Sequence, residues 1–172
     1  MSQFSEIITG FMVYEDDVHY YGLADVTLPN ITQITEEMEG AGVAGKYTST
    51  VMGHIEAMKS TINFRNATEN AVKLFRPTEH HLELRANVQE RDSVKGAVDL
   101  GVKHVLIASP INLDMGKLGN YVKGDSSAEF AVRYYAMYLN GKKKIEVDPF
   151  NYIFNVDGVD YLTDIRKNLG MA

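Results

Sequence analysis

The clearest signal along the chain is an alternation of period two. Leu82, Leu84, Ala86 and Val88 alternate with His81, Glu83, Arg85, Asn87 and Gln89, which places the apolar set on one face of a strand and the polar set on the other. Over residues 129–139 both sets are apolar. Phe130, Val132, Tyr134, Ala136 and Tyr138 form one face, and Ala131, Tyr135, Met137 and Leu139 the other, broken only by Arg133. Such a strand is covered on both sides. It ends at Asn140-Gly141, a pair that accepts the positive φ of a tight hairpin turn, so residues 142–148 return as its partner. Asp157-Gly158 marks a second hairpin between residues 150–156 and 159–162. A third is predicted where residues 11–14 and 18–23 flank Glu15, Asp16 and Asp17.

Helical signals are short. Thr68 is placed to cap a helix over residues 69–76, with Val72 and Phe75 on one face and Pro77 as its stop. Residues 161–168 read as a shorter helical tail before Gly170. Many strands with one substantial helix predict a mainly β chain, an antiparallel β-sandwich or barrel with one flanking α-helix. Neither a repeat nor a low-complexity linker divides it, so residues 1–172 read as one domain, with a hairpin and helix arm at about 150–172. Residues 39–53, EGAGVAGKYTSTVMG, have no clean period. They predict a long inter-strand loop, mobile or ordered by a partner.

Composition narrows the function. The 172 residues can bury a core, and the absence of cysteine removes disulfides and thiolate metal ligands. Stability therefore rests on packing and association. No apolar run approaches the roughly 18 residues of a membrane span, and the first residues carry no basic region, so a soluble chain without a membrane anchor is expected. A formal charge of −6, with 17 Lys and Arg residues in no extended block, opposes tight binding of DNA or RNA.

Candidate chemistry fails on context. Gly40, Gly42 and Gly45 match G-x-G-x-x-G, and Gly40, Gly45 and Lys46 approach a Walker A loop. A phosphate cradle needs a buried strand before it and a helix after it. Here Thr35-Glu36-Glu37-Met38-Glu39 precedes, β-branched residues follow, and Tyr47 stands where a Ser or Thr would hold Mg²⁺. The glycines are read as conferring reach, with Lys46 solvated. His80 and His81 point to opposite faces of a strand, while His19, His54 and His104 are isolated, so no metal site is expected. Gly124-Asp125-Ser126-Ser127 lacks the G-x-S-x-G elbow and reads as an inter-strand loop. Glu36-Glu37 and Asp16-Asp17 read as solvated charge. Neither catalytic residues nor a cofactor are predicted. Ten Tyr and seven Phe suit a core or a subunit interface, with Tyr20, Tyr21, Tyr134, Tyr135 and Tyr138 as candidates.

Two stretches resemble the major tail tube proteins of contractile-tailed bacteriophages and of tail-derived R-type bacteriocins. Tyr20-Tyr21-Gly22-Leu23-Ala24-Asp25-Val26-Thr27-Leu28-Pro29 leads through Ile31, Ile34 and Met38 into the loop from Gly40 to Gly45. Near the other end come Leu139-Asn140-Gly141-Lys142, then Glu146-Val147-Asp148, then NYIFNVDGVDYLTDIRKNL over residues 151–169. Together they cover about half the chain. The resemblance implies a non-enzymatic structural subunit whose six copies join their inner sheets into a ring, with rings stacked into a tube. It implies as partners the sheath, the tail terminator and the baseplate hub, with DNA passing unbound. The implied locations are the bacterial cytoplasm during assembly, then a virion tail or released bacteriocin particle. Gly42, Val43, Gly45, Lys46, Tyr47, Val51 and Met52 become candidates for contact between rings. Tyr134, Tyr138, Phe150, Tyr152, Val159 and Tyr161 become candidates for contact between neighbours in a ring. A type VI secretion tube protein is the near alternative. A nucleotide-binding enzyme using residues 40–46 and a monomeric binding module are the distant ones.

Overall fold

A computed structural model describes residues 3–16, 18–19 and 23–171. The chain forms β1 (Gln3–Glu15), β2 (Val18–His19), β3 (Leu23–Thr27), β4 (Gln33–Met38), β5 (Tyr47–Ile55), β6 (Met58–Phe64), α1 (Glu69–Leu74) and β7 (His80–Asp92). It continues with β8 (Gly96–Asp114), β9 (Ser126–Leu139), β10 (Lys142–Asp148), β11 (Ile153–Val156), β12 (Val159–Asp160) and α2 (Thr163–Asn168). All pairings are antiparallel, as the hairpin signals imply. One path of hydrogen-bonded strands runs β12-β11-β10-β9-β8-β7-β1-β2, and β6, with β3 on its far side, branches from β9. The third predicted hairpin is present as β1–β2, although Asp17, Tyr20 and Tyr21 lie outside the described residues.

The branch is made by the central strand. On one edge β9 pairs with β8 throughout; on the other, residues 126–132 pair with β6 and residues 135–139 with β10. Arg133 sits at the division as an extra residue, since Val132 opposes Ala108 and Tyr134 opposes Ile107. This bulge corrects the assignment of Phe130, Val132, Tyr134, Ala136 and Tyr138 to a single face. Phe130 and Val132 face the core, but beyond Arg133 the parity changes, and Tyr135 is buried opposite Leu106 while Tyr134 and Tyr138 turn to the opposite face.

The core lies between the β1-β7-β8-β9 sheet and a second layer formed by β3, β6 and α1. Val13, Ile62, Phe64, Leu74, Leu106 and Phe130 are almost wholly buried in it. At about 1.5–3 kcal/mol for each large apolar side chain, this packing is the main stabilising contribution. β7 is longer than the predicted alternation, yet Leu82 and Leu84 face the core as read. The turn into β8 is closed by Asp92, whose Oδ1 accepts from the backbone N–H groups of Val94 and Lys95 at 2.8 and 2.9 Å. Those bonds hold its carboxyl below the usual aspartate range.

Thr68 caps α1 through its Oγ1, which accepts from Ala71 N at 3.3 Å. The buried face is Ala71 and Leu74, however, and Val72 and Phe75 are exposed. Both pairs have helical spacing, and only the position of the sheet selects between them. The described residues form two short helices, α2 being the predicted tail, followed by Gly170 at φ +69°. Asn140-Gly141 and Asp157-Gly158 all have positive φ, as their turns require. The segment after β10 folds back on the body through Phe154 and Leu162, and Arg166 ties it by donating to the Tyr152 carbonyl at 2.5 Å and pairing with Asp160 at 2.6 Å. Among the described residues no helix is long and apolar enough to cross a membrane.

Candidate assembly surfaces

Half of the expected loop over residues 39–53 is strand. β4 and β5 pair only with each other, from Met38 opposite Tyr47 to Thr35 opposite Thr50, and the irregular tip is residues 39–46. Thr48, Thr50 and Val51 supply the β-branched character that favours this pairing. The hairpin stands off the main sheet as an arm, and every residue of β4 is exposed. Its root is fixed. Glu56 N donates to Thr32 O at 2.8 Å, and Gly53, at φ +69°, lies so close to Leu162 that a Cβ there would fall 2.5 Å from Leu162 Cδ2.

The tip glycines Gly40, Gly42 and Gly45 all have positive φ, and Val43, Tyr47 and Met52 are exposed while Val51 is half-buried. Lys46 is exposed to solvent, as expected, and it also pairs with Glu37 at 2.8 Å and Glu39 at 3.2 Å, contacts that raise its pKa. A lysine held by two carboxylates, on a tip followed by a strand, has neither the charge nor the helix of a phosphate cradle.

The remaining candidates divide by environment. Tyr134 and Tyr138 lie on the face of β9 turned away from the core and are engaged within the chain. The Tyr134 hydroxyl donates to Glu146 at 2.8 Å, and burial, followed by that carboxylate, pushes its pKa up. Lys103 and Lys143 stand 4.7 and 5.8 Å from the Tyr138 ring centre. Tyr152 is half-buried at φ +50°, its ring edge-on to His54. Phe150, Val159 and Tyr161 are exposed, with the Arg133 guanidinium 5.3 Å over the Phe150 ring.

The face of the sheet opposite the core carries matched charge. Glu6 pairs with Arg91 at 2.6 Å, Glu146 with Lys143 at 2.8 Å, and Glu83 with both Arg85 and Lys103, while Asn87 donates to Asp99 at 2.8 Å. Glu129 pairs with Lys59 and Arg133 with Glu79. The net negative charge is concentrated elsewhere: across residues 31–57, four glutamates face one lysine.

Open backbone is the other prominent feature. β1 pairs with β7 along its length but with β2 only at Tyr14 and Glu15, so among the described residues its other edge has no strand partner over residues 3–13. Bulges at Glu6 and Thr9 interrupt it, and Ile7, Ile8 and Met12 are exposed. Among the described residues β3 likewise pairs along one edge only, with β6.

One further surface has no counterpart in the periodic pattern of the sequence. Between β8 and β9, residues 115–124 form a hook whose Leu118 and Tyr121 are fully exposed, at 104% and 108%. Its neck is tight: Lys117 N donates to Gly124 O at 2.8 Å, Gly124 N to Asn66 Oδ1 at 2.9 Å, and Asp125 N to Arg65 O at 3.1 Å. The signal was present in MGKLGNYVKG, apolar residues between closely spaced glycines.

Among the described residues the histidines and Ser126 do not come together. His80 is buried, its Nε2 donating to Arg76 O at 3.0 Å and its Nδ1 2.5 Å from Glu15 Oε1, whereas His81 is exposed. His104 Nδ1 meets the Tyr135 hydroxyl at 2.9 Å, and His54 Nδ1 lies 3.1 Å from Met52 O. Ser126 Oγ is buried with no hydrogen-bond partner, so no base activates it. Among the described residues no three His, Asp or Glu side chains gather as a metal site would need.

Three comparisons bear on this arrangement. The model of a family described as phage tail tube protein FII matches residues 5–170. The tail tube protein of Escherichia phage P2 is 26% identical over 163 residues, covering 92% of this chain and 94% of its own. A chain from a cryo-EM structure of an extracellular contractile injection system, the PVC sheath/tube terminator in its extended state, superposes with a TM-score of 0.54 at 15% identity. The match covers 78% of this chain and 97% of that one, and shows a shared fold.

Proposed function

The chain belongs to the phage tail tube protein FII family, and on that footing we propose that it is the inner-tube subunit of a contractile phage tail or of a tail-like bacteriocin. Its copies join side by side into hexameric rings, and the rings stack into a tube enclosed by a sheath. A terminator and a baseplate hub close the two ends. The subunit turns over no substrate; its work is geometric, supplying stiffness, a passage and an outer surface.

The observation that carries this reading is the open edge of β1. An edge with no strand partner among the described residues, bearing Ile7, Ile8 and Met12, is an aggregation hazard in an isolated monomer and a natural site for continuing a sheet into a neighbour. Ring closure removes the hazard because each open edge then has a partner. The charge-matched face opposite the core lines the passage in this reading. With its carboxylates and cations paired, it neither grips a phosphate backbone nor presents the strong negative field that the overall charge of −6 suggests. The acidic arm, with Gly42, Val43 and Tyr47 near its tip, reaches the adjacent ring.

Negative-stain microscopy of the purified protein tests the proposal. Rings and rods of uniform diameter are expected, and a two-residue Asn-Gly turn replacing residues 39–46 is expected to leave rings without rods. A chain that remains monomeric at high concentration overturns the assembly reading, and normal rods from the shortened arm overturn the arm's role.

A further inference from the structure

The arm and the hook lie at opposite ends of one strand. β6 starts at Met58, just after the arm root at Glu56, and ends at Phe64, next to Arg65 and Asn66, which hold the hook's neck. Seven residues of strand put the two roots roughly 20 Å apart. Surfaces so separated in one chain, and matched in character, join different copies head to tail.

They are matched in shape of chemistry and in sign. The register of β4 and β5 places Ile34, Glu36, Met38 and Tyr47 on one side of the arm, while Gln33, Thr50 and Met52 on the other side turn toward Phe154 and Tyr161 of the body. The outward side is therefore apolar with an unneutralised carboxylate, for Lys46 is held by Glu37 and Glu39. The hook presents Leu118, Tyr121 and Val122 beside Lys117 and Lys123, with Lys117 bound to Asp125 at 3.1 Å. Its neck is already ordered: a Cβ on Gly116 would lie 2.0 Å from the Gly124 carbonyl oxygen, so the backbone is packed against itself. A fully exposed Tyr and Leu carried on an ordered neck make an interface anchor at reduced entropic cost.

We propose that the hook, residues 115–124, is the counter-surface of the arm, and that in stacked copies Leu118 and Tyr121 of one subunit pack on Ile34, Met38 and Tyr47 of the next, with Lys123 facing Glu36. This rests on the tube reading and names the contact that would join one ring to its neighbour. Sheath and terminator are the competing occupants of the hook.

The test uses the full chain, with rod formation followed against concentration by sedimentation and negative-stain microscopy. Leu118→Ser with Tyr121→Ser should keep the wild-type thermal midpoint, since both side chains are fully exposed, and should raise the concentration needed for rods at least about tenfold. Lys123→Glu and Glu36→Lys should each weaken rods, and their combination should recover them. Rods from the double serine variant at the wild-type concentration overturn the proposal while leaving the tube reading intact, and assign the hook to another partner. Failure of the combined charge reversal to recover what either single change loses overturns the arm as the hook's partner. Absence of rods from the wild-type chain overturns the tube reading beneath both.

Discussion

Gly53 at the arm root and Leu162 before α2 are in direct apposition: the glycine has φ +69°, and a Cβ on it would lie 2.5 Å from Leu162 Cδ2 and 2.7 Å from Cγ. Leu162 is itself buried, at 3% exposure. The contact couples the arm, far from the core in character, to the segment that closes it. Gly53→Ala is expected to cost about 1–3 kcal/mol, from the left-handed conformation and from displacement of Leu162. Urea denaturation measures the loss, and limited proteolysis should show earlier cleavage in the arm. An unchanged midpoint would show that the root yields freely.

Gly116 faces a harder obstacle, because the atom 2.0 Å from its notional Cβ is a backbone oxygen, that of Gly124. Gly116→Ala should therefore break the neck bonds of the hook, not merely strain them. Hydrogen exchange at Lys117 N, which donates to Gly124 O, is expected to lose protection while the β6–β9 amides keep theirs. Retained protection at Lys117 would contradict the neck geometry.

Arg133 acts through its backbone more than through its charge. Its pairing with Glu79 is partly solvent-exposed, so Arg133→Ala should cost no more than about 1 kcal/mol. Deleting residue 133 removes the bulge: Tyr134 and Tyr135 keep their places opposite Ile107 and Leu106, but the extra length that separates the β6-paired from the β10-paired half of β9 is lost, which should cost clearly more than the alanine change. Comparable soluble yields and melting points for the two variants would refute the bulge as the device that divides the second layer.

His104 gives a pH signature. It is buried at the β8–β9 contact against the Tyr135 hydroxyl, near Leu84 and with Asp25 and Phe11 lining the same cleft, and burial lowers its pKa. A histidine depressed in the folded state takes up its proton more readily when unfolded, so stability rises with pH through the window below the usual value of about 6.5. Melting temperature should fall as pH drops from 7 toward 5, and His104→Gln should flatten that slope. The same slope in the variant would assign the effect to other groups.

Phe130 is fully buried in the core on β9. Phe130→Ala should cost about 3–5 kcal/mol by denaturant titration, whereas Phe150→Ala, at 70% exposure, should leave monomer stability nearly unchanged. If Phe150 is a contact between neighbouring copies, its loss appears only in ring formation.

What the sequence by itself determined was local and periodic. Asn140-Gly141 and Asp157-Gly158 specified their turns because few other pairs tolerate two successive positive φ angles. Thr68 specified the start of α1, and the alternation of Leu82 and Leu84 with Glu83 and Arg85 specified both the strand and its buried face. The ordered motifs near both ends were enough to indicate the family. The tertiary structure decided whatever required two distant segments to meet. Whether Val72 and Phe75 or Ala71 and Leu74 faced inward depended on where the sheet lay, since both pairs share one spacing. The parity change at Arg133 depended on β9 having β6 along half of one edge and β10 along the rest. Residues 47–53 became a strand because residues 33–38 lay beside them, a pairing with no independent apolar signature. The hook became visible only once Asn66 and Arg65 were seen to hold its neck, fifty or more residues away in the chain. Alternation and turn chemistry report each residue's own conformational preference; bulges, arms and necks are settled by which backbone groups find partners across the fold.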